Sequence, residues 1–200
     1  MIDSKFLIVD DAIPIEKQEK IKETLLDDSF PWFYVNDATY KSKTANSNTP
    51  ILSHYYKLNH SINSKFYDLI EFIGDKGADL YGFDYQDIWQ VRSFLQFPLN
   101  PNWRKTFVDK LHIDLNYEHL VVLYYVMDGD GDTIIVNKEF DNNSLPYTGG
   151  VVDNMDYTNY DVLHRITPKQ GRMVIFNGKY YHTAEQPTNN MRCIVNFNLI

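Results

Sequence analysis

The spacing of the apolar residues changes once, near residue 86, and that change restricts the architectures open to this chain. Before it, apolar positions recur at helical spacing. Ile21, Leu25 and Leu26 predict a helix over 14–28; Ile62, Phe66, Leu69, Ile70 and Ile73 predict a second over 61–80. Pro14 suits the first turn of the earlier helix, where a missing N–H costs nothing. Gly74 and Gly77 leave the end of the later one open. After residue 86 the period is two. Trp89, Val91, Leu95 and Phe97 alternate with Gln90, Arg92 and Gln96, as in a strand with one polar face. The run from Leu120 to Met127 is almost wholly apolar, β-branched or aromatic, and predicts a central strand. Segments 133–136, 172–176, 180–185 and 191–199 supply four more strands, and Phe6–Val9 is a short first one. Two helices followed by at least six strands, with no helix–strand alternation, exclude a doubly wound parallel sheet. The pattern is mainly β: a single domain over 1–200, with helical support and loops in 1–85 and an antiparallel jelly roll in 86–200.

The connections carry their own signals. Residues 98–103 and 168–171 read as turns, and Asp128-Gly129-Asp130-Gly131-Asp132 as a tight hairpin turn. Segments 29–60 and 138–165 are polar and periodicity-poor, so they read as loops with short strands and a long excursion. Tyr147, Tyr157 and Tyr160 are candidates to cover a groove.

Charge and cysteine content remove several function classes. A net charge of −8, with Arg104-Lys105 and the Lys41/Lys43 pair isolated, opposes binding to a nucleic-acid backbone. The single cysteine, Cys193, excludes an intrachain disulfide and multi-thiolate zinc sites. The N-terminus has no signal pattern and no run is long enough to span a membrane, so a soluble, cytoplasmic protein without membrane partners is expected.

The chemistry-bearing residues are His112, Asp114, His182 and Arg192. His-x-Asp alone means little, because six histidines and twenty aspartates give roughly 0.6 such pairs by chance. Placement is more telling. At spacing two, His112 and Asp114 point to one face of a strand-like segment, and a jelly roll can bring His182 beside them. Two imidazoles and one carboxylate hold iron on one face and leave the opposite positions open. Arg192 opens the last strand, sharing a face with Ile194 and Asn196, where a buried guanidinium needs an anion and a carboxylate fits it best. That strand is expected to pair beside the His182 strand.

Each residue has a plainer reading. His112 can be an N-cap or loop residue, Asp114 a turn residue, and His182 a satisfied core histidine. Arg192 can bridge to Glu185 or Asp132. Tyr124, with Val122 and Val126, is core by default, and His119 and His164 read as surface or lid residues. Asp128, Asp130, Asp132 and Glu139 have calcium-loop spacing, but the sixth position, which needs glycine, is Thr133.

Taken together, His112-x-Asp114, His182 and Arg192, the Tyr124 strand, Gly131-Asp132-Thr133 and Pro168…Gly171-Arg172…Phe176…His182 resemble the Fe(II)/2-oxoglutarate-dependent dioxygenases. The prolyl 4-hydroxylase-like branch, with its small bacterial and phage versions, is the nearest. The resemblance covers 86–200, and the opening strand and helix at 5–28 also fit. It implies a double-stranded β-helix, with Fe(II) on His112, Asp114 and His182 and Arg192 on the far carboxylate of 2-oxoglutarate. Tyr124 is its candidate for assisting there. The implied activity is hydroxylation of a C–H bond coupled to conversion of 2-oxoglutarate to succinate and CO2, with ascorbate as a reductant. The substrate is a prolyl residue in a peptide, a small amino-acid-like molecule or a nucleobase-linked one; 29–60 and 138–165 match no substrate motif. The rival is a non-catalytic metal- or sugar-binding jelly-roll module. A weaker rival is an oxygen-independent isomerase.

Overall fold

The computed structural model describes residues 6–36, 49–100, 108–141, 150–153 and 155–200. The expected features at Lys41, Lys43, 101–105 and Tyr147 lie outside the described residues. The chain opens with β1 (Phe6–Val9) and α1 (Ile15–Leu25), followed by β2 (Phe33–Val35), β3 (Ile51–Leu58) and β4 (Ser61–Ile62). After α2 (Glu71–Tyr81) come β5 (Ile88–Gln96), β6 (His112–Ile113), β7 (Leu120–Tyr125), β8 (Thr133–Glu139) and β9 (Val151–Val152). The last four are β10 (Val162–Ile166), β11 (Met173–Asn177), β12 (Tyr180–Ala184) and β13 (Arg192–Leu199).

Two antiparallel sheets face each other. The larger runs β1-β11-β7-β13-β5-β3-β2, with β4 also on β3; the smaller runs β10-β8-β12-β6-β9. Side-chain alternation then builds three layers. On β7, Val122 and Tyr124 point to the helices and pack with Ile21, Leu25, Ile73 and Phe197. Val121, Leu123 and Tyr125 point between the sheets, toward Ile135, Phe176 and Ile194. Ile113, Ile134, Val136 and Tyr181 form a third cluster on the outer side of the small sheet. No helix among the described residues is long and apolar enough to cross a membrane.

Several expectations change here, each for a local reason. The second helix starts later, at Glu71, because Ser61 and Ile62 are taken as a strand by Leu58 and Lys57. The reversal between them uses Asn59 and His60, both with positive φ (49° and 67°), the backbone of a two-residue hairpin turn. Gly82, at φ 75°, closes α2 in the left-handed cap that glycine adopts without strain. Gly77 instead lets α2 approach the sheet: a Cβ there would lie 2.6 Å from both Val122 methyl carbons. Segment 29–60 contributes two strands to the large sheet, so residues 1–85 are part of the β core as well as its support.

The Asp128–Asp132 turn does not make a hairpin. It carries the chain from β7 in the large sheet to β8 in the small one. The Gln186–Asn190 connection likewise crosses from β12 to β13, which pairs with β5 and β7 rather than with β12. A short turn spans the gap between packed sheets as readily as it joins neighbours, so turn residues alone do not separate a hairpin from a sheet corner.

Candidate active site

β6 is only two residues long, yet it fixes the site. Its His112 lies directly opposite His182 of β12, and the two imidazole centroids are 4.6 Å apart. Asp114 follows two residues on, with its side chain turned to the same side. Its Oδ1 lies 3.9 Å from His112 Nε2 and its Oδ2 3.9 Å from His182 Nε2. One ligand atom from each of the three residues falls within 4.8 Å of the others.

The hydrogen bonds settle which ring nitrogens are free. His112 Nδ1 is 2.9 Å from the Lys110 carbonyl, and His182 Nδ1 is 3.1 Å from the Tyr180 carbonyl. A carbonyl only accepts, so each Nδ1 carries the proton and each Nε2 offers a lone pair toward Asp114. Asp114 is held as firmly: Arg92 Nη2 donates to Oδ1 at 2.6 Å and Asn196 Nδ2 to Oδ2 at 2.8 Å. Burial by itself raises the Asp114 pKa, but the Arg92 guanidinium, helped by His182 and His112, outweighs it and holds the carboxyl well below its usual range.

The His112 pKa is lowered too, to about 4, by burial and then by the neighbouring His182, which favours the neutral imidazole. The unfolded chain takes up the His112 proton as pH falls through 6.5, whereas the folded chain resists until about 4. The contribution is therefore complete above about pH 6.5 and is lost between there and about 4, on the order of 3 kcal/mol. Urea unfolding of metal-free protein at stepped pH is expected to show that loss. In His112→Gln the slope across this window is expected to flatten.

Arg192 starts β13 and is 3% exposed. Its Nη1 donates to Gln96 Oε1 at 2.7 Å and its Nη2 to Thr133 Oγ1 at 2.8 Å, while Nε is buried without an acceptor. Neither carboxylate proposed as a bridge reaches it. Glu185 and Asp132 pair instead with Arg165, at 2.6 and 3.5 Å. Among the described residues, no carboxylate forms an ion pair with Arg192. One cavity of about 590 Å³, counting space open to solvent, is lined by His112, Asp114, His182 and Arg192 together. Its walls include Val121, Leu123, Phe176 and Ile194.

Tyr124 is corrected by one residue. It faces the helices, in the cluster with Ile21 and Leu25, and does not line the cavity. Tyr125 is the one beside Arg192: its ring lies 5.7 Å from the guanidinium carbon and its hydroxyl donates to Thr133 Oγ1 at 2.7 Å. His119 is neither surface nor lid. It is fully buried, its Nδ1 bonded to the Tyr117 carbonyl at 2.7 Å and its ring packed on Gly178. His164 packs on Phe6 at 4.6 Å between ring centroids. Asp130 has a structural role: its carboxylate accepts the backbone N–H groups of Thr188, Asn189 and Asn190 and so pins the corner that leads into Arg192. Arg92 and Asn196 were not singled out from sequence. Both lie on the cavity-facing parity of their strands, and that parity is their only sequence signal.

No protein-family model and no curated protein matches the sequence. Solved structures do match in shape. A 2OG-Fe(II) oxygenase family oxidoreductase from Burkholderia pseudomallei aligns with a TM-score of 0.66 at 9% identity, covering 97% of this chain and 84% of that one. The epimerase SnoN, solved with Fe3+, alpha ketoglutarate and nogalamycin RO, aligns at 0.63 with 11% identity, covering 98% and 79%. A Trichoplax adhaerens prolyl hydroxylase, solved with a hypoxia inducible factor peptide fragment, aligns at 0.62 with 12% identity, covering 98% and 83%. The chain has the fold of the 2OG-Fe(II) oxygenases.

Proposed function

We propose that this protein is an Fe(II)- and 2-oxoglutarate-dependent oxygenase that hydroxylates a C–H bond. The observation that carries this reading is the pairing, in one cavity, of a two-histidine, one-carboxylate cluster with a buried arginine that has no ion-pair partner among the described residues. The donor set fits the metal, since both imidazoles are in the tautomer that offers Nε2 and Asp114 is ionised. The fit of the co-substrate rests on Arg192, whose orphaned Nε lacks the acceptor that a carboxylate provides.

Bound there, Fe(II) and 2-oxoglutarate supply the oxidation of a C–H bond by O2, with release of succinate and CO2. The chain's own residues bind and orient. His112, Asp114 and His182 hold the ion. Arg192, with Gln96 and Thr133 fixing its plane, receives the far carboxylate, and Tyr125 sets the Thr133 hydroxyl. Leu123, Phe176 and Ile194 keep water from the space between.

The substrate is a small molecule or a peptide, with prolyl peptides and amino-acid-like compounds as the first probes. Protein given Fe(II), ascorbate, O2 and 2-oxoglutarate is expected to release succinate above the level of the Asp114→Ala protein. Equal, background release from both would favour a non-catalytic jelly roll.

A further inference from the structure

The cavity contains a second guanidinium that the proposed chemistry leaves without a part. Arg92 lies on the inner face of β5 with Phe94 and Gln96, all three lining the cavity. Its guanidinium carbon sits 4.8 Å from the Phe94 ring centroid, and Tyr55 is its register partner on the neighbouring strand β3. Nη2 donates to Asp114 Oδ1 at 2.6 Å, whereas Nε is buried with no acceptor. The Asp114 side chain is 1% exposed and that of Arg92 18%. This is a tight ion pair whose anion is also a member of the metal cluster.

The pair has opposite consequences for the two ligands of the site. With its two oxygens bonded separately to Arg92 and Asn196, the carboxylate plane of Asp114 is set before any ion arrives. A divalent ion sharing that carboxylate is then close to a fixed positive charge in a poorly solvated cavity, where like charges repel strongly. An acid bound at the metal meets the reverse situation. It gains a second cation close to its own charge.

We propose that Arg92 is a positioning residue that trades metal affinity for affinity toward the co-substrate carboxylate at the metal. It weakens the ion's hold on the empty pocket and strengthens the binding of 2-oxoglutarate once the ion is present. This rests on the reading of His112, Asp114 and His182 as a metal site, and it is separate from the role given to Arg192.

The test uses Mn2+ as the probe ion, with free Mn2+ read by electron paramagnetic resonance and 2-oxoglutarate binding read by equilibrium dialysis at saturating Mn2+. Removing the like charge is expected to outweigh the loss of the bond that orients Asp114, so Arg92→Met is expected to bind Mn2+ about tenfold or more tightly than wild type and 2-oxoglutarate about tenfold or more weakly. Arg92→Lys keeps the charge and is expected to stay near wild type in Mn2+ affinity. A residue that only supported the fold would weaken both ligands together, so the opposed signs are diagnostic. Arg92→Gln serves for the same comparison if the methionine variant does not fold. A charge-removing variant that binds Mn2+ no more tightly, or 2-oxoglutarate no less tightly, overturns the proposal. Wild-type protein that binds no Mn2+ would overturn the metal site itself.

Discussion

Arg192→Ala is expected to weaken 2-oxoglutarate binding about a hundredfold or more while leaving metal affinity unchanged. Arg192 is buried, and its neighbours Gln96 and Thr133 offer neutral oxygens only. A ligand carboxylate would be its counter-ion, and breaking such a buried pair costs about 3–5 kcal/mol, or two to three and a half powers of ten in affinity. Lysine keeps the charge but not the planar fork, so Arg192→Lys is expected to recover only part of the loss. Titration of 2-oxoglutarate against the three proteins, with Mn2+ affinity measured in parallel, checks both statements. Equal co-substrate binding in all three would remove Arg192 from the account.

The second large effect is at Asp114. Neighbours of metal ligands typically contribute 10–100-fold to affinity, so losing the ligand itself in Asp114→Ala is expected to cost more than ~100-fold and to abolish turnover. It also strands Arg92, which loses its acceptor at 2.6 Å. Breaking a buried pair costs about 3–5 kcal/mol, and the 18% exposure of Arg92 puts the expected loss of folding stability near the low end, about 3 kcal/mol. Asp114→Asn keeps the shape and the hydrogen bond to one oxygen, so it is expected to lose the metal but less of the stability. Denaturant unfolding beside Mn2+ titration separates the two. An alanine variant with full metal content and activity would show that the ion sits elsewhere.

The sequence shows the mainly β architecture because strand and helix periods differ, and the change near residue 86 is sharp. It shows His112, His182 and Arg192 because histidine and arginine are scarce here, and Asp114 because spacing two puts it on the face of His112. It does not show the inward residue of β7. Val121 to Tyr125 is apolar on both parities, since one face packs on the helices and the other on the opposing sheet. Nothing along the chain therefore tells Tyr124 from Tyr125; the pairing Ile194↔Tyr125 across β13 does.

The same symmetry hides Arg92. On β5 the apolar Val91 and Leu95 face the helices, so the polar parity of the strand is the one that lines the cavity. Short strands also escape a period-based reading. Ser61–Ile62 has too few residues to show alternation, and its Ile62 falls by coincidence on the helical spacing of Phe66 and Leu69.

One ion and one dicarboxylate are expected to share the cavity between the two sheets. A crystal structure of the protein grown with Mn2+ and 2-oxoglutarate under nitrogen tests it directly, with the ion located by its anomalous scattering. A single strong peak is expected within coordination distance of His112 Nε2, His182 Nε2 and an Asp114 oxygen, with the far carboxylate of 2-oxoglutarate on the Arg192 guanidinium. An ion bound away from those three residues, or 2-oxoglutarate absent from Arg192 at saturating concentration, would contradict it.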